Sequence, residues 1–240
     1  MKKILSLTVL FFSLCTYAQN NSIDDDGNIE TRTVETFNAI EVSDGIDVYL
    51  TSGEDETVKV TAADEKYLDK LITEVEGNTL KIYYDNKGIH FATNNKRKLK
   101  AYISYKVLQS IIANGNATIS LENTLEADHL QLTFTGGASF NGGIEANEIN
   151  VKQNTASGVS ISGKASVLNV ESASGASFKG YDFIADYCNA KATGGAVIRI
   201  TINKELTAKA KTGGGIRYKG NGLLTDLDIN TGGAVKKDEE

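Results

Sequence analysis

The sequence predicts an all-β protein folded as a single-stranded right-handed parallel β-helix, a solenoid with a coil period of about 20 residues. Three observations predict it. First, the hexad Gly-x-x-apolar-x-Gly occurs at 137–142, 158–163, 175–180 and 215–220, with degenerate copies starting at Asn116 and Gly195. The starts at 116, 137, 158, 175, 195 and 215 differ by 21, 21, 17, 20 and 20 residues, and a near-constant period of this size means stacked units. Second, strictly alternating segments recur between the hexads: Leu130-Gln-Leu132, Ile149-Asn-Val151, Leu168-Asn-Val170, Cys188-Asn-Ala190, Leu206-Thr-Ala208 and Leu227-Asp-Ile229. Period-two apolar residues one coil apart describe strands with one buried face. Third, the chain has no proline, as expected where every coil donates backbone N–H groups to its neighbour.

A leucine-rich repeat fails on spacing, since no Leu-x-x-Leu-x-Leu and no helical stripe separates the strands. A left-handed β-helix repeats every six residues, which this chain does not. Six coils from Asn116 onward, at roughly 4.8 Å each, give a rod of about 29 Å.

Taken from the N-terminus, Met1-Lys2-Lys3, the apolar run 4–14 and Thr16-Tyr17-Ala18 read as a secretory signal peptide over residues 1–18. An uncleaved anchor and a lipoprotein acylated at Cys15 are the alternatives; Leu14 sits where a lipoprotein signal takes a small residue. No later stretch is long and apolar enough to span a bilayer as a helix. Cleavage leaves Cys188 alone, so no intramolecular disulfide is expected. Residues 19–35, with Asp24-Asp25-Asp26-Gly27, read as a flexible acidic tail, 36–235 as the β-helix, and 236–240 as a charged tail. Alternating segments at 37–42, 45–50, 57–60, 79–83 and 99–104 make the first part β-rich, and 64–72 has room for one or two helical turns.

The stretch Phe37-Asn-Ala-Ile-Glu-Val-Ser-Asp-Gly-Ile-Asp-Val-Tyr-Leu50, then Gly77-Asn-Thr-Leu-Lys-Ile82 and the Gly-Ala-Ser-Phe coils, resembles the head GIN domain of putative auto-transporter adhesins over residues 36–235. The resemblance implies a right-handed β-helix of pectin-lyase-like shape, no catalytic residues and an adhesive role. Tyr105-Lys106 departs from the pattern, which has a proline after this strand.

With 25 basic against 31 acidic residues and net charge −6, the chain lacks the basic balance of a nucleic-acid binder. Outward positions on the repeated strand are Gln131, Asn150, Asn169, Asn189, Thr207 and Asp228, and next to them Thr133, Lys152, Glu171, Lys191, Lys209 and Asn230. One carboxylate per row provides no acid pair for glycoside hydrolysis. The spacing instead stacks Asn150, Asn169 and Asn189 along the rod, either as a structural amide ladder or as a polar strip for glycan hydroxyls or a partner protein. Lys152 and Lys191 flank that strip and complete the candidate binding set. Asp44 and Asp47 read as turn residues, His90 as a loop residue and His129 as outward-facing. Phe140, Phe178 and Tyr218 fall at one repeat position and read as an internal aromatic stack, and Cys188 as a small core residue. No metal set, catalytic set or cofactor site is expected.

The expected function is a non-catalytic, adhesin-like binding module of the cell envelope. It would be exported to the periplasm, cell surface or medium of a Gram-negative bacterium. Its partner would be an envelope or host glycan or protein, and an open-ended rod is compatible with a homo-oligomer. The alternative is a carbohydrate-active β-helix enzyme, a lyase or hydrolase. A secondary contact is expected at residues 86–98 through Lys96-Arg97-Lys98.

Overall fold

Hydrogen bonding from coil to coil joins all the strands of the computed structural model, which describes residues 28–86 and 97–239, into one 17-stranded sheet. The regular part stacks β10 (Leu125–Phe134), β11 (Ser139–Gln153), β12 (Gly158–Ser172), β13 (Ser177–Thr193) and β14 (Val197–Lys211) in parallel. It closes on β15 (Gly215–Lys219), β16 (Leu223–Asn230) and β17 (Ala234–Lys237). The result is a β-solenoid of about 7 turns with about 19 residues per turn. Leu130, Ile149, Leu168, Cys188 and Leu206 stand in one inward column, as the alternation predicts. Each is nearly or fully buried, and burial pushes the Cys188 thiol pKa up.

The start of the solenoid does not follow chain order. The coil formed by β2 (Ala39–Val42) and β3 (Asp47–Ser52) lies between two others. On one side are β6 (Thr79–Tyr84) and β7 (Lys100–Tyr105); on the other are β8 (Ser110–Ala113) and β9 (Thr118–Leu121). The outer edge of the β6–β7 coil is covered by antiparallel strands: β5 (Leu71–Glu76) on β6, and β4 (Thr57–Ala62) on β7. Residues 28–32, placed in a flexible tail by the sequence reading, form β1 (Asn28–Arg32), antiparallel to β4. Between β4 and β5 runs a single helical turn, α1 (Glu65–Leu68), whose N-cap Asp64 accepts a hydrogen bond from the Lys66 N–H at 3.2 Å. At the other end, Lys236 and Lys237 belong to β17 and not to a tail. Among the described residues no such cover protects this end, where Leu223, Leu227 and Ile229 are 70%, 49% and 46% exposed.

The turns explain the glycine pattern. Two successive residues have positive φ at 115–116, 136–137, 155–156, 174–175, 194–195, 212–213 and 231–232. The second N–H of each of the first six pairs donates to the carbonyl of the first residue in the next coil, as Asn116 to Gly136 at 2.9 Å and Gly137 to Thr155 at 3.0 Å. Taking the second residue of each pair gives steps of 21, 19, 19, 20, 18 and 19 residues. Two hexads therefore mislead: Gly158 and Gly215 each lie two residues beyond the turn that sets the period.

That slip also rearranges the core. Ile119, Phe140, Val159, Phe178, Ile198, Ile216 and Val235 share one inward column. Tyr218 lies over Ile200 and Ile161 over Gly142, so the expected stack of Phe140, Phe178 and Tyr218 does not form. Val159 separates the two phenylalanines, and Phe140 instead packs on Phe134 with ring centroids 5.5 Å apart.

Candidate functional site

Asn150, Asn169 and Asn189 sit at equivalent outward positions of β11, β12 and β13, where the inward Ile149, Leu168 and Cys188 pin the register. Their amides are joined. Asn169 Nδ2 donates to Asn150 Oδ1 at 3.0 Å, and Asn189 Nδ2 donates to Asn169 Oδ1 at 2.7 Å. Glu148 closes the ladder, its Oε1 accepting from Asn150 and Asn169 at 3.1 and 3.2 Å. The outward His129 faces the same carboxylate, Nδ1 to Oε2 being 3.4 Å. An amide has two N–H donors and two acceptor lone pairs, so Asn150 and Asn189 each keep a donor and an acceptor after the ladder is made, whereas Asn169 spends both N–H groups and keeps one lone pair.

The next outward column runs Thr133, Lys152, Glu171, Lys191, Lys209 and Asp228. Here the structure corrects the row read from sequence. The register shifts between Leu206 and Thr207, so Asp226 stands over Thr207, Asp228 over Lys209, and Asn230 over Lys211. The lysine column thus carries two carboxylates, Glu171 and Asp228. Three coil steps separate them, about 14 Å, with Lys191 and Lys209 between. Glycosidic acid pairs stand about 5–9.5 Å apart.

Two grooves open on this face. One of about 370 Å³ is lined by Lys152, Glu171, Lys191, Thr133 and the buried Gln153 and Ser172. The other, about 620 Å³, is lined by Asn169, Asn189, Lys191, Lys209, Lys211 and Asp228. Lys191 lies 3.7 Å from Glu171 and Lys211 lies 2.6 Å from Asp228, whereas Lys152 and Lys209 make no ion pair among the described residues. Four of the five expected binding residues therefore line grooves, and Asn150 extends the ladder beside them. Sequence reasoning missed Lys211, which projects from the end of β14, and the groove itself, because a concave surface is a property of stacked coils.

Other expectations resolve differently. Asp44, at positive φ, accepts from Ser43 Oγ and from the Tyr84 N–H, so it serves the turn. Arg97 is engaged, its guanidinium 4.2 Å from the Tyr84 ring centroid and its Nη1 donating to Asn86 Oδ1 at 3.3 Å. Residues 1–27, including the expected signal peptide, Cys15 and the Asp24–Asp26 run, lie outside the described residues, as do His90 and Lys96. Among the described residues, no helix is long and apolar enough to cross a membrane, and no group of three or more His, Cys, Asp or Glu could hold a metal ion.

Comparison with known proteins agrees with this architecture. A putative adhesin from Bacteroides fragilis has a TM-score of 0.80 at 21% identity, covering 88% of this chain and 97% of that one. A putative adhesin from Parabacteroides merdae has a TM-score of 0.67 at 19% identity, covering 88% and 96%. A protein from Parabacteroides distasonis described as a putative lipid binding protein has a TM-score of 0.59 at 20% identity, covering 89% and 98%. At these identities the likeness establishes the fold. No curated protein matches the sequence. Residues 36–222 match the family described as "Putative auto-transporter adhesin, head GIN domain", and the chain belongs to that family.

Proposed function

We propose that the protein is an exported, non-catalytic binding module of the cell envelope, which holds an envelope or host glycan or protein along its amide–lysine face. The observation that carries this reading is the Asn150–Asn169–Asn189 ladder beside the lysine column: similar polar groups recur on successive coils next to open grooves. Repetition of this kind allows many weak contacts whose sum gives avidity without a deep pocket. The wide separation of Glu171 and Asp228 speaks against those two carboxylates acting as a glycosidic acid pair. Membership of an adhesin family supports a binding role, and the leader-like residues 1–18 support export to the periplasm, surface or medium.

The test has two arms. A glycan array probed with the purified protein should show binding that Lys152→Gln with Lys191→Gln weakens. Incubation with pectate and alginate, with and without calcium, should release no product. Unsaturated or shortened chains, formed at a rate that one Asp substitution abolishes, would establish the enzyme reading instead.

A further inference from the structure

Charge is arranged differently on the two sides of each turn. On the amide face, lysines are interspersed with carboxylates from coil to coil. On the hexad strands, one outward column carries the same sign four times running: Lys179, Arg199, Arg217 and Lys236 are direct register neighbours in β13, β14, β15 and β17. Such neighbours stand about 4.8 Å apart, and like charges opposite one another destabilise a sheet. Of these four, only Arg217 makes an ion pair among the described residues, with Asp238, whose carboxylate also feels the Lys236 charge. The Arg217 Nε and Nη2 donate to Asp238 at 2.8–3.1 Å, and the Tyr181 hydroxyl donates to the same carboxylate. Lys179, Arg199 and Lys236 make no ion pair among the described residues. The core gains nothing from cations here, because the inward Phe178, Ile198, Ile216 and Val235 tolerate any polar outward neighbour.

Lys179, Arg217 and Lys236 are exposed and Arg199 is half-buried. The column two residues earlier holds Ser177, Val197, Gly215 and Ala234, side chains too small to cover them. Toward the N-terminus the same column continues without charge as Ser160, Asn141 and Ser120. It then reaches Tyr49 and Tyr102, whose rings stack with centroids 5.1 Å apart and planes at 14°. One straight line along the solenoid therefore presents hydroxyl and amide groups followed by four evenly spaced cations.

We infer that this column is a binding strip for an acidic polysaccharide lying parallel to the solenoid axis, with carboxylates on Lys179, Arg199, Arg217 and Lys236 and sugar hydroxyls on Ser160, Asn141 and Ser120. A chain of linked uronic acid rings carries one carboxylate per ring, a repeat comparable to the thickness of one coil. Duplex DNA fits less well, because its phosphates rise about 3.4 Å along each strand, out of step with the coil spacing. A lipid surface would have no use for the hydroxyl and amide half of the line. The strip rests on the reading of the protein as a binding module but occupies a face other than the amide ladder.

The experiment measures binding of a six-ring oligogalacturonate to the purified protein by calorimetry. The probes beside it are the fully methyl-esterified, uncharged oligomer, single-stranded DNA of equal charge, and vesicles containing anionic lipid. Binding of the acidic oligomer should weaken as salt rises and fall at least tenfold in Lys179→Gln/Arg199→Gln/Lys236→Gln. These side chains point outward and repel one another, so a melting temperature no lower than that of the wild type confirms an intact fold. Asp238→Asn, which frees Arg217, should strengthen binding, and Lys164→Gln/Lys204→Gln, which removes two exposed cations outside both faces, should leave it unchanged. The proposal is overturned if the acidic oligomer does not bind, if the triple variant binds it as well as the wild type, or if DNA or the vesicles bind more tightly. Loss of acidic-oligomer binding in the amide-face variant Lys152→Gln/Lys191→Gln but not in the triple variant would overturn the strip while leaving the binding-module reading standing.

Discussion

Replacing Phe178 by alanine tests the corrected register of the core. Its side chain is fully buried, lies between Val159 and Ile198 in the column of inward residues, and leans on Gly180, where a Cβ would crowd the ring. A Cβ at Gly180 would stand 2.7 Å from Phe178 Cε1 and 3.2 Å from the Arg199 carbonyl oxygen. Deleting a ring from such a site removes its transfer free energy and leaves a cavity, a loss of about 3–5 kcal/mol. For a chain of this size about 1 kcal/mol moves the melting midpoint by 2–4 °C, so Phe178→Ala should lower it by roughly 6–20 °C. Gly180→Ala should be destabilising in the wild type, and less so once the ring is gone, because the alanine methyl then occupies vacated space. A double-mutant cycle followed by circular dichroism should give a favourable coupling of about 1 kcal/mol, in the range for residues in contact. A midpoint shift under about 3 °C for Phe178→Ala, or strictly additive effects in the cycle, would refute the packing argument.

Three further outcomes follow from the same geometry. Ala156 holds φ at 58°, a left-handed conformation that costs an L-residue about 1–2 kcal/mol, so Ala156→Gly should raise the urea midpoint by an amount worth about 1 kcal/mol, less the entropy glycine adds to the unfolded chain. Asn169→Ala removes the middle of the ladder, breaking its bonds to Asn150, Asn189 and Glu148, and chemical denaturation should show a loss of about 1–2 kcal/mol. Arg217 and Tyr181 hold the Asp238 carboxyl down at about 2. Because this folded-state value lies below the unfolded one, the contribution of Asp238 is present above about pH 4 and fades as pH falls toward 2. The melting temperatures of wild type and Asp238→Asn should therefore differ at pH 6 and converge near pH 2.

Much of this protein was legible before any coordinates, for a physical reason. A solenoid repeats a local problem: each coil must turn through left-handed conformations, bury alternate side chains and donate its backbone N–H groups to the next. Those demands leave glycine, asparagine, alternating aliphatics and an absence of proline in the chain, so the approximate coil period, the inward column of Leu130, Ile149, Leu168, Cys188 and Leu206 and the Asn150–Asn169–Asn189 stack could be read directly. What sequence alone left undecided is which residue of one coil lies over which residue of the next. A slip of two positions preserves the alternation and costs the pattern nothing, so Tyr218 appeared to fall on Phe178 although Ile216 is the residue that does. The bulge after Leu206 likewise moved Asp228 from the amide column to the lysine column. The nesting of the β2–β3 coil between β6–β7 and β8–β9, and the antiparallel cover on the first coils, depend on long-range backbone pairing that no local spacing encodes. Register settled by cross-coil packing also set Arg217, and not Lys219, in line with Lys179 and Arg199, and so placed four cations in one column.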